Sequence, residues 1–173
     1  MGKLIAGIAI GIVVTLIAGA AIGYLIITSG VIPARQDEVS SDFESWAAHQ
    51  SLRATIKREA VQTSPIKADE ENLMAGVKIY TSNCSGCHGT PKDPSPSFAK
   101  GYNPPPPLFA NGDTVTDDPE AKIYWKVDHG IRFTGMPSYN KMLNENEMWQ
   151  VTLFLKNQDK LPKPVDDYWK SAK

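Results

Sequence analysis

Cysteine is scarce in this chain of 173 residues, which contains only Cys84 and Cys87. Two cysteines three positions apart exclude the disulfide framework on which small secreted domains depend. There is no second cysteine pair, and the three histidines show no recognised zinc spacing, so a four-ligand zinc site is not expected either. An excess of one charge is also missing, because 18 basic and 19 acidic side chains give a net charge of −1. The sequence therefore does not predict a nucleic-acid partner.

Charge is absent from Leu4 to Ile27, where Thr15 and Tyr24 are the only residues with a polar side chain. A helix over this run would be about 36 Å long, enough to cross a hydrocarbon core of about 30 Å. A cleaved signal peptide is the alternative, since Ala18 to Ala20 offers a small-residue site, but its apolar region spans only about 7–15 residues. The sequence therefore predicts a transmembrane anchor over residues 1–28.

Residues 29–68 are polar and mixed in charge, and they are predicted to form a helical linker. Ser41 and Glu44 have the spacing of a capping box, which predicts a helix that starts near Asp42. Apolar residues then recur in two sets, and the helical spacing of the first set does not continue into the second. This pattern indicates two short helices or one bent helix.

Both cysteines belong to the C-x-x-C-H pattern that runs from Cys84 to His88, which is typical of covalent haem attachment. Two thiols on one helical turn can form thioether bonds to the two vinyl groups along one edge of the porphyrin. The adjacent His88 can then offer an imidazole nitrogen to the iron. A thioredoxin-like redox pair would need a βαβ context, which is absent here. The sequence therefore predicts one covalent haem c.

Met136 is the best candidate for the second axial ligand of the iron, because Gly135 and Pro137 favour a loop that would hold its thioether in place. His129 is the main alternative and would give bis-histidine ligation. A soft thioether raises the reduction potential relative to a second imidazole. A filled sixth position argues for electron transfer and against oxygen chemistry.

From about Asp69 to Leu161 the chain resembles the class I cytochrome c family, in which the attachment motif comes early and the methionine late. The family has a glycine and an aromatic residue eight and four positions before the first cysteine, and here they are Gly76 and Tyr80. The resemblance implies that the helix with this glycine crosses a C-terminal helix closely. That second helix is expected from about Glu145 to Lys156, with Phe154 near Gly76 and Tyr80.

The resemblance also implies that a proline carbonyl accepts the N–H of the axial histidine, which fixes the imidazole. Pro106-Pro107-Leu108 fits that pattern, so Pro106 is the predicted acceptor, and the run Pro104 to Pro107 leaves this assignment open by one residue. Another helix is predicted from Pro119 to Gly130, with Ile123, Tyr124 and Val127 facing inward. The candidates to contact the haem propionates are Trp125, Tyr102 and Arg132.

These features predict an all-α protein with an anchor over 1–28, a linker over 29–68, a cytochrome c domain over 69–161 and a C-terminal tail over 162–173. The stretch from His129 to Pro137 also resembles membrane-bound bacterial monohaem cytochromes. This resemblance implies a single-pass protein of the bacterial inner membrane, with a cytoplasmic N-terminus and a periplasmic haem domain.

The implied function is that of a one-electron carrier rather than an enzyme. Its expected partners are the lipid bilayer and a membrane redox complex, which could be a quinol-oxidising complex, a terminal oxidase or a photosynthetic reaction centre. A haem enzyme or gas sensor with a displaceable sixth ligand is the alternative. A subunit whose haem is mainly structural is a third possibility.

Overall fold

The computed structural model describes residues 2–111 and 113–172, and over these residues it contains helices and no strand. The helices are α1 (Gly2–Thr28), α2 (Asp42–Glu59), α3 (Glu70–Asn83), α4 (Ser85–His88), α5 (Glu120–His129), α6 (Glu145–Lys156) and α7 (Lys163–Ser171), with short 3-10 helices at Ser97–Gly101 and Phe109–Asn111. The all-α prediction is confirmed. The chain divides into two compact units between Glu38 and Val39.

The first unit consists mainly of α1, whose 27 residues are long and apolar enough to span a membrane. Its threonine hydroxyl groups are satisfied within the helix. Thr15 donates to the carbonyl oxygen of Gly11 at 2.9 Å, and Thr28 donates to that of Tyr24 at 2.8 Å. A segment that satisfies its own polar groups meets the main requirement for crossing a hydrocarbon layer.

The core of the second unit forms where α3 crosses α6. A Cβ atom added at Gly76 would lie 2.1 Å from the carbonyl oxygen of Gln150 and 2.9 Å from Cβ of Phe154, so only glycine fits here. One turn further along α3, the rings of Tyr80 and Phe154 lie 5.5 Å apart. The predicted close crossing is therefore confirmed, and α6 has the predicted bounds of Glu145–Lys156.

The helix α5 completes this core. Ile123, Tyr124 and Val127 are buried, as predicted from their spacing. The ring of Tyr124 stacks on Trp149 of α6, with the centroids 4.1 Å apart. The N-terminus of α6 is closed by a capping box, in which the side chains of Asn144 and Glu147 each accept a backbone N–H of the other residue.

The second unit extends past both ends of the predicted domain of 69–161. After that domain, α7 buries Val165 and Trp169 in the same core, and the ring of Trp169 meets Tyr80 and Phe154 edge-on, each at 5.3 Å. Residues 162–173, which were expected to be a tail, thus include a packed helix.

Before the predicted domain, α2 is one continuous helix of 18 residues, which agrees with the single-helix alternative and not with two short helices. Its start agrees with the prediction, because the Ser41 hydroxyl accepts the N–H of Glu44 at 3.2 Å. The helix α2 buries Ile56, and the carboxylate of Glu59 accepts the Nε1–H of Trp125 on α5 at 3.1 Å. This helix is therefore part of the second unit and not a free linker.

Candidate haem-attachment site

Cys84, Cys87 and His88 lie together on one helical turn that follows α3. The backbone N–H groups of Cys87 and His88 both donate to the carbonyl oxygen of Cys84, at 3.1 and 2.9 Å. Cys84 in turn donates its N–H to the carbonyl oxygen of Tyr80 at 2.8 Å, so α3 leads directly into this turn. The long helix of the core thereby fixes the position of all three residues.

The imidazole of His88 is held on one side by the backbone. Its Nδ1 atom lies 2.8 Å from the carbonyl oxygen of Pro107, so Nδ1 carries the proton in this contact. The ring also stacks on Phe109, with the centroids 4.6 Å apart and the planes only 6° from parallel. Burial lowers the pKa of His88, which favours the neutral ring. Nε2 is therefore the nitrogen left to bind a metal.

The acceptor of this bond lies one residue later than predicted. The resemblance indicated the carbonyl of Pro106, whereas the structure brings the carbonyl of Pro107 to the His88 ring. The contacts of the next two residues account for the difference. Leu108 donates its N–H to the carboxylate of Asp113 at 2.9 Å, and Phe109 lies on the imidazole, so the chain is anchored immediately after Pro107.

The two thiols are flanked by tyrosines. The Tyr139 hydroxyl, which donates to the carbonyl oxygen of Asn83 at 2.8 Å, lies close to the Cys84 thiol, and the Tyr102 hydroxyl lies close to the Cys87 thiol. Burial, with a smaller effect of neighbouring Cys87, raises the pKa of the Cys84 thiol to about 12. A nucleophilic or redox-active cysteine needs a lowered pKa, which stabilises the thiolate. The environment of Cys84 therefore argues against a nucleophilic or redox-active thiolate.

Met136 lies in a loop that is closed by its own hydrogen bonds. Ile131 donates its N–H to the carbonyl oxygen of Met136, and Met136 donates its N–H to the Thr134 hydroxyl, both at 3.1 Å. At the start of the loop, Gly130 has a φ of +66°, and a Cβ atom there would lie 2.6 Å from the backbone of Pro137. The loop thus folds back tightly onto the end of α5.

Tyr102 joins this loop to the attachment turn. A Cβ atom added at Gly135 would lie 2.3 Å from the Tyr102 ring, so the ring rests directly on the residue before Met136. The hydroxyl of the same tyrosine reaches Cys87. The structure therefore brings the predicted methionine loop and the predicted attachment motif to one place, although they are far apart in the sequence.

A comparison with protein families matches residues 71–155 to the family described as Cytochrome C oxidase, cbb3-type, subunit III. The matched segment is a class I c-type cytochrome domain. Comparisons with curated proteins and with solved structures found no match. The cytochrome domain so defined runs from the first turn of α3 to the last turn of α6. The helices α1, α2 and α7 lie outside it.

The residues of the cytochrome domain fit the haem c that the family implies. One imidazole has its Nδ1 engaged and its Nε2 left over, and two cysteines stand on the same turn as that imidazole. The methionine loop is brought close by a tyrosine that contacts both sides. This donor set of two thiols, one imidazole and one thioether is the one that covalent His/Met haem ligation requires.

His129, the alternative ligand, has other contacts in the cytochrome domain. Its ring stacks on Trp125 with the centroids 4.9 Å apart, and its Nδ1 lies 3.2 Å from the carbonyl oxygen of the same residue. Trp125, a candidate for the haem propionates, uses its own N–H for Glu59. Neither contact of His129 involves its Nε2 atom, so the choice of Met136 over His129 as the second ligand stays a prediction.

Two residues of the site were not predicted, namely Phe109 and Tyr139. The Pro-x-Leu pattern pointed to the right segment, and an aromatic residue directly after it was the available signal for Phe109. No comparable signal exists for Tyr139, which reaches Asn83 at 2.8 Å from a distant part of the chain. Its contact depends on how the loop after Met136 packs, which spacing alone does not reveal.

Proposed function

We propose that this protein is a membrane-anchored monohaem cytochrome c that carries single electrons. The observation that supports this most strongly is the attachment turn, where Cys84, Cys87 and His88 are presented together and Nδ1 of His88 is bound to Pro107 at 2.8 Å. The cysteines would hold one haem c through thioether bonds, and His88 and Met136 would be its axial ligands. The bound haem supplies an iron that accepts and returns one electron.

The side chains around the site serve this function by holding the ligands still. Pro107 and Phe109 fix the His88 ring along two directions, through a hydrogen bond and a stacking contact. On the other side, the bond from Ile131 closes the loop around Met136. Since a carrier keeps the same ligands in both oxidation states, such rigidity favours rapid transfer over ligand exchange.

The helix α1 would anchor the protein in the bacterial inner membrane. The length and apolar composition of this helix of 27 residues support this, and attachment of haem c on the outer side of the membrane would place the N-terminus in the cytoplasm and the haem domain in the periplasm. A tether raises the effective concentration of the carrier near membrane partners. Quinol-oxidising complexes, terminal oxidases and reaction centres are such partners, and the matched description, which names a cbb3-type oxidase, favours a terminal oxidase.

Carbon monoxide distinguishes a carrier from a haem enzyme or gas sensor, because only iron with an open or labile sixth position binds it. The experiment uses the full chain, matured with haem, purified in detergent and reduced with dithionite. We expect a slow and incomplete change of the Soret band, whereas the control variant Met136→Ala should bind carbon monoxide rapidly. Rapid and complete binding by the unsubstituted protein would contradict the carrier function.

A further inference from the structure

Two aromatic side chains near the start of α2 are exposed to solvent. Phe43 is 75% exposed and Trp46 is 58% exposed, although large apolar side chains usually gain burial when a domain folds. Their rings lie beside each other, with the centroids 5.8 Å apart, so they form one apolar surface and not two scattered residues. A surface of this kind indicates an interaction that the fold of the domain does not itself provide.

Two basic side chains continue this surface along α2. At about 100° per residue, the two rings and the side chains of Arg53 and Lys57 fall within an arc of about 80° around the helix. Both basic residues are exposed, and neither forms an ion pair within the part of the chain that the structure describes. The neighbouring Arg58 differs, because it is paired with Glu59. We call Phe43, Trp46, Arg53 and Lys57 the α2 face.

The α2 face is turned away from the rest of its own unit. The helix packs on α5 through its other side, where Ile56 is buried and Glu59 accepts the Nε1–H of Trp125. Glu44 also lies away from the α2 face. Asp42 belongs to the first turn, where a negative charge stabilises the end of the helix. The α2 face therefore combines apolar rings with positive charge, and its own domain does not cover it.

The order of the elements along the chain indicates what covers this face. In the sequence, α2 is the first helix after α1, which is long and apolar enough to span a membrane, and only residues 29–41 separate the two. Helices that lie on a bilayer surface typically combine aromatic and basic side chains at helical spacing. Tryptophan favours the level of the headgroups, because its ring is apolar and its N–H is polar. Basic side chains are attracted to anionic lipids.

We propose that the α2 face lies on the surface of the bilayer that holds α1, with its two rings among the headgroups and Arg53 and Lys57 against the phosphates of anionic phospholipids. This inference rests on the proposed anchor and goes beyond it, because it assigns a second membrane contact to the folded unit itself. The face is about 21 Å long, so α2 would lie in the plane of the membrane surface. Two contacts with one bilayer would restrict the rotation of the cytochrome domain.

The test measures how deeply a spin label on the α2 face is immersed in lipid. The full chain with haem is reconstituted into vesicles of phosphatidylcholine, with or without phosphatidylglycerol, and is reduced. In the matured protein Cys84 and Cys87 would be bonded to haem, so Gln50→Cys supplies the free thiol for a nitroxide. Position 50 lies within the arc of the α2 face. Oxygen concentrates in lipid and a nickel chelate stays in water, so the ratio of their effects on the saturation of the nitroxide signal reports immersion.

We expect the ratio of oxygen to chelate accessibility at position 50 to be several-fold higher in vesicles with phosphatidylglycerol than in vesicles without it. The matched control is a label at Ser171→Cys. Ser171 is also an exposed helical residue, but it lies on α7, which packs on α3 and not on α5. The ratio at position 171 should be low in both kinds of vesicle.

Two pairs of substitutions separate the effect of charge on this face from that of net charge. Arg53→Gln combined with Lys57→Gln should remove most of the increase at position 50. Lys141→Gln combined with Lys160→Gln removes the same charge from exposed positions outside α2 and should leave the increase unchanged. Since all four side chains are exposed, these variants should melt at the parent temperature.

The proposal is overturned if the ratio at position 50 is as low as at position 171, or if phosphatidylglycerol does not raise it. A label shielded from oxygen and from the chelate alike would place the α2 face against protein, such as a second copy of this chain, and would also overturn the lipid assignment. Failure of the anchor is measured separately. If an alkaline carbonate wash released the parent protein from the vesicles, the proposed membrane span of α1 would itself be refuted.

Discussion

Substitution of Gly76 by alanine tests the helix crossing on which the site depends. In a helix interior, this change alone would stabilise the protein by about 1 kcal/mol. Here the added methyl group would meet the backbone of Gln150, 2.1 Å from its oxygen and 2.7 Å from its carbonyl carbon. Backbone atoms cannot rotate away, so α3 and α6 would have to separate by about 1.4 Å to restore an ordinary contact distance of about 3.5 Å.

Overpacking of this kind typically costs about 1–3 kcal/mol, and contact with backbone places Gly76→Ala at the upper end. After the gain in helix propensity, a net loss of about 2 kcal/mol remains. For a unit of this size we expect the melting temperature to fall by about 8 °C. Because α3 leads into Cys84, the same displacement should reduce the yield of protein with attached haem.

The assay is thermal unfolding of the full chain in detergent, followed by circular dichroism. Gly101→Ala is the control, because a Cβ atom at Gly101 would meet nothing within 4 Å. It should melt within about 1 °C of the parent. If Gly76→Ala also melted at the parent temperature and carried a full complement of haem, the close crossing of α3 and α6 would be refuted.

Three other substitutions test the ligands and the core. Met136→His should lower the reduction potential, since imidazole favours the ferric state, and an unchanged potential in an optical redox titration would exclude Met136 as a ligand. Cys84→Ala combined with Cys87→Ala should leave any haem extractable by acidic solvent, whereas retained haem would disprove covalent attachment. Trp169→Ala should lower the free energy of unfolding, measured by chemical denaturation, by about 3–5 kcal/mol. Tyr168→Ala, which changes a neighbour on the exposed face of α7, should lower it far less. Equal losses would show that α7 does not contribute to the core.

The sequence predicted those parts of the fold that local patterns determine. Ser41 and Glu44 marked the start of α2, and the spacing of Ile123, Tyr124 and Val127 marked the buried face of α5. The resemblance to class I cytochromes c, carried by Gly76 before the attachment motif, implied the helix crossing, and only glycine allows two backbones to approach this closely.

The parts that were missed depend on tertiary contacts. Val165 and Trp169 have helical spacing, but nothing local shows that their partners are Tyr80 and Phe154, so α7 was taken for a tail. In the same way, the contacts of the residues that follow the proline run determine which proline carbonyl lies against His88. A run of four prolines contains no local signal that distinguishes one carbonyl from the next.

The placement of α2 in the second unit shortens the segment that joins the proposed anchor to the folded domain. Glu59 accepts the Nε1–H of Trp125. The hydrogen bond from the adjacent Arg58 is the main cause that lowers the pKa of Glu59, and the bond from Trp125 is the second. The carboxylate is therefore ionised at neutral pH and remains a good acceptor. The segment between α1 and α2 is then residues 29–41 and not 29–68. A tether of this kind would concentrate the proposed carrier on partners in the same membrane, which would reduce the need for long-range charge to guide their encounter.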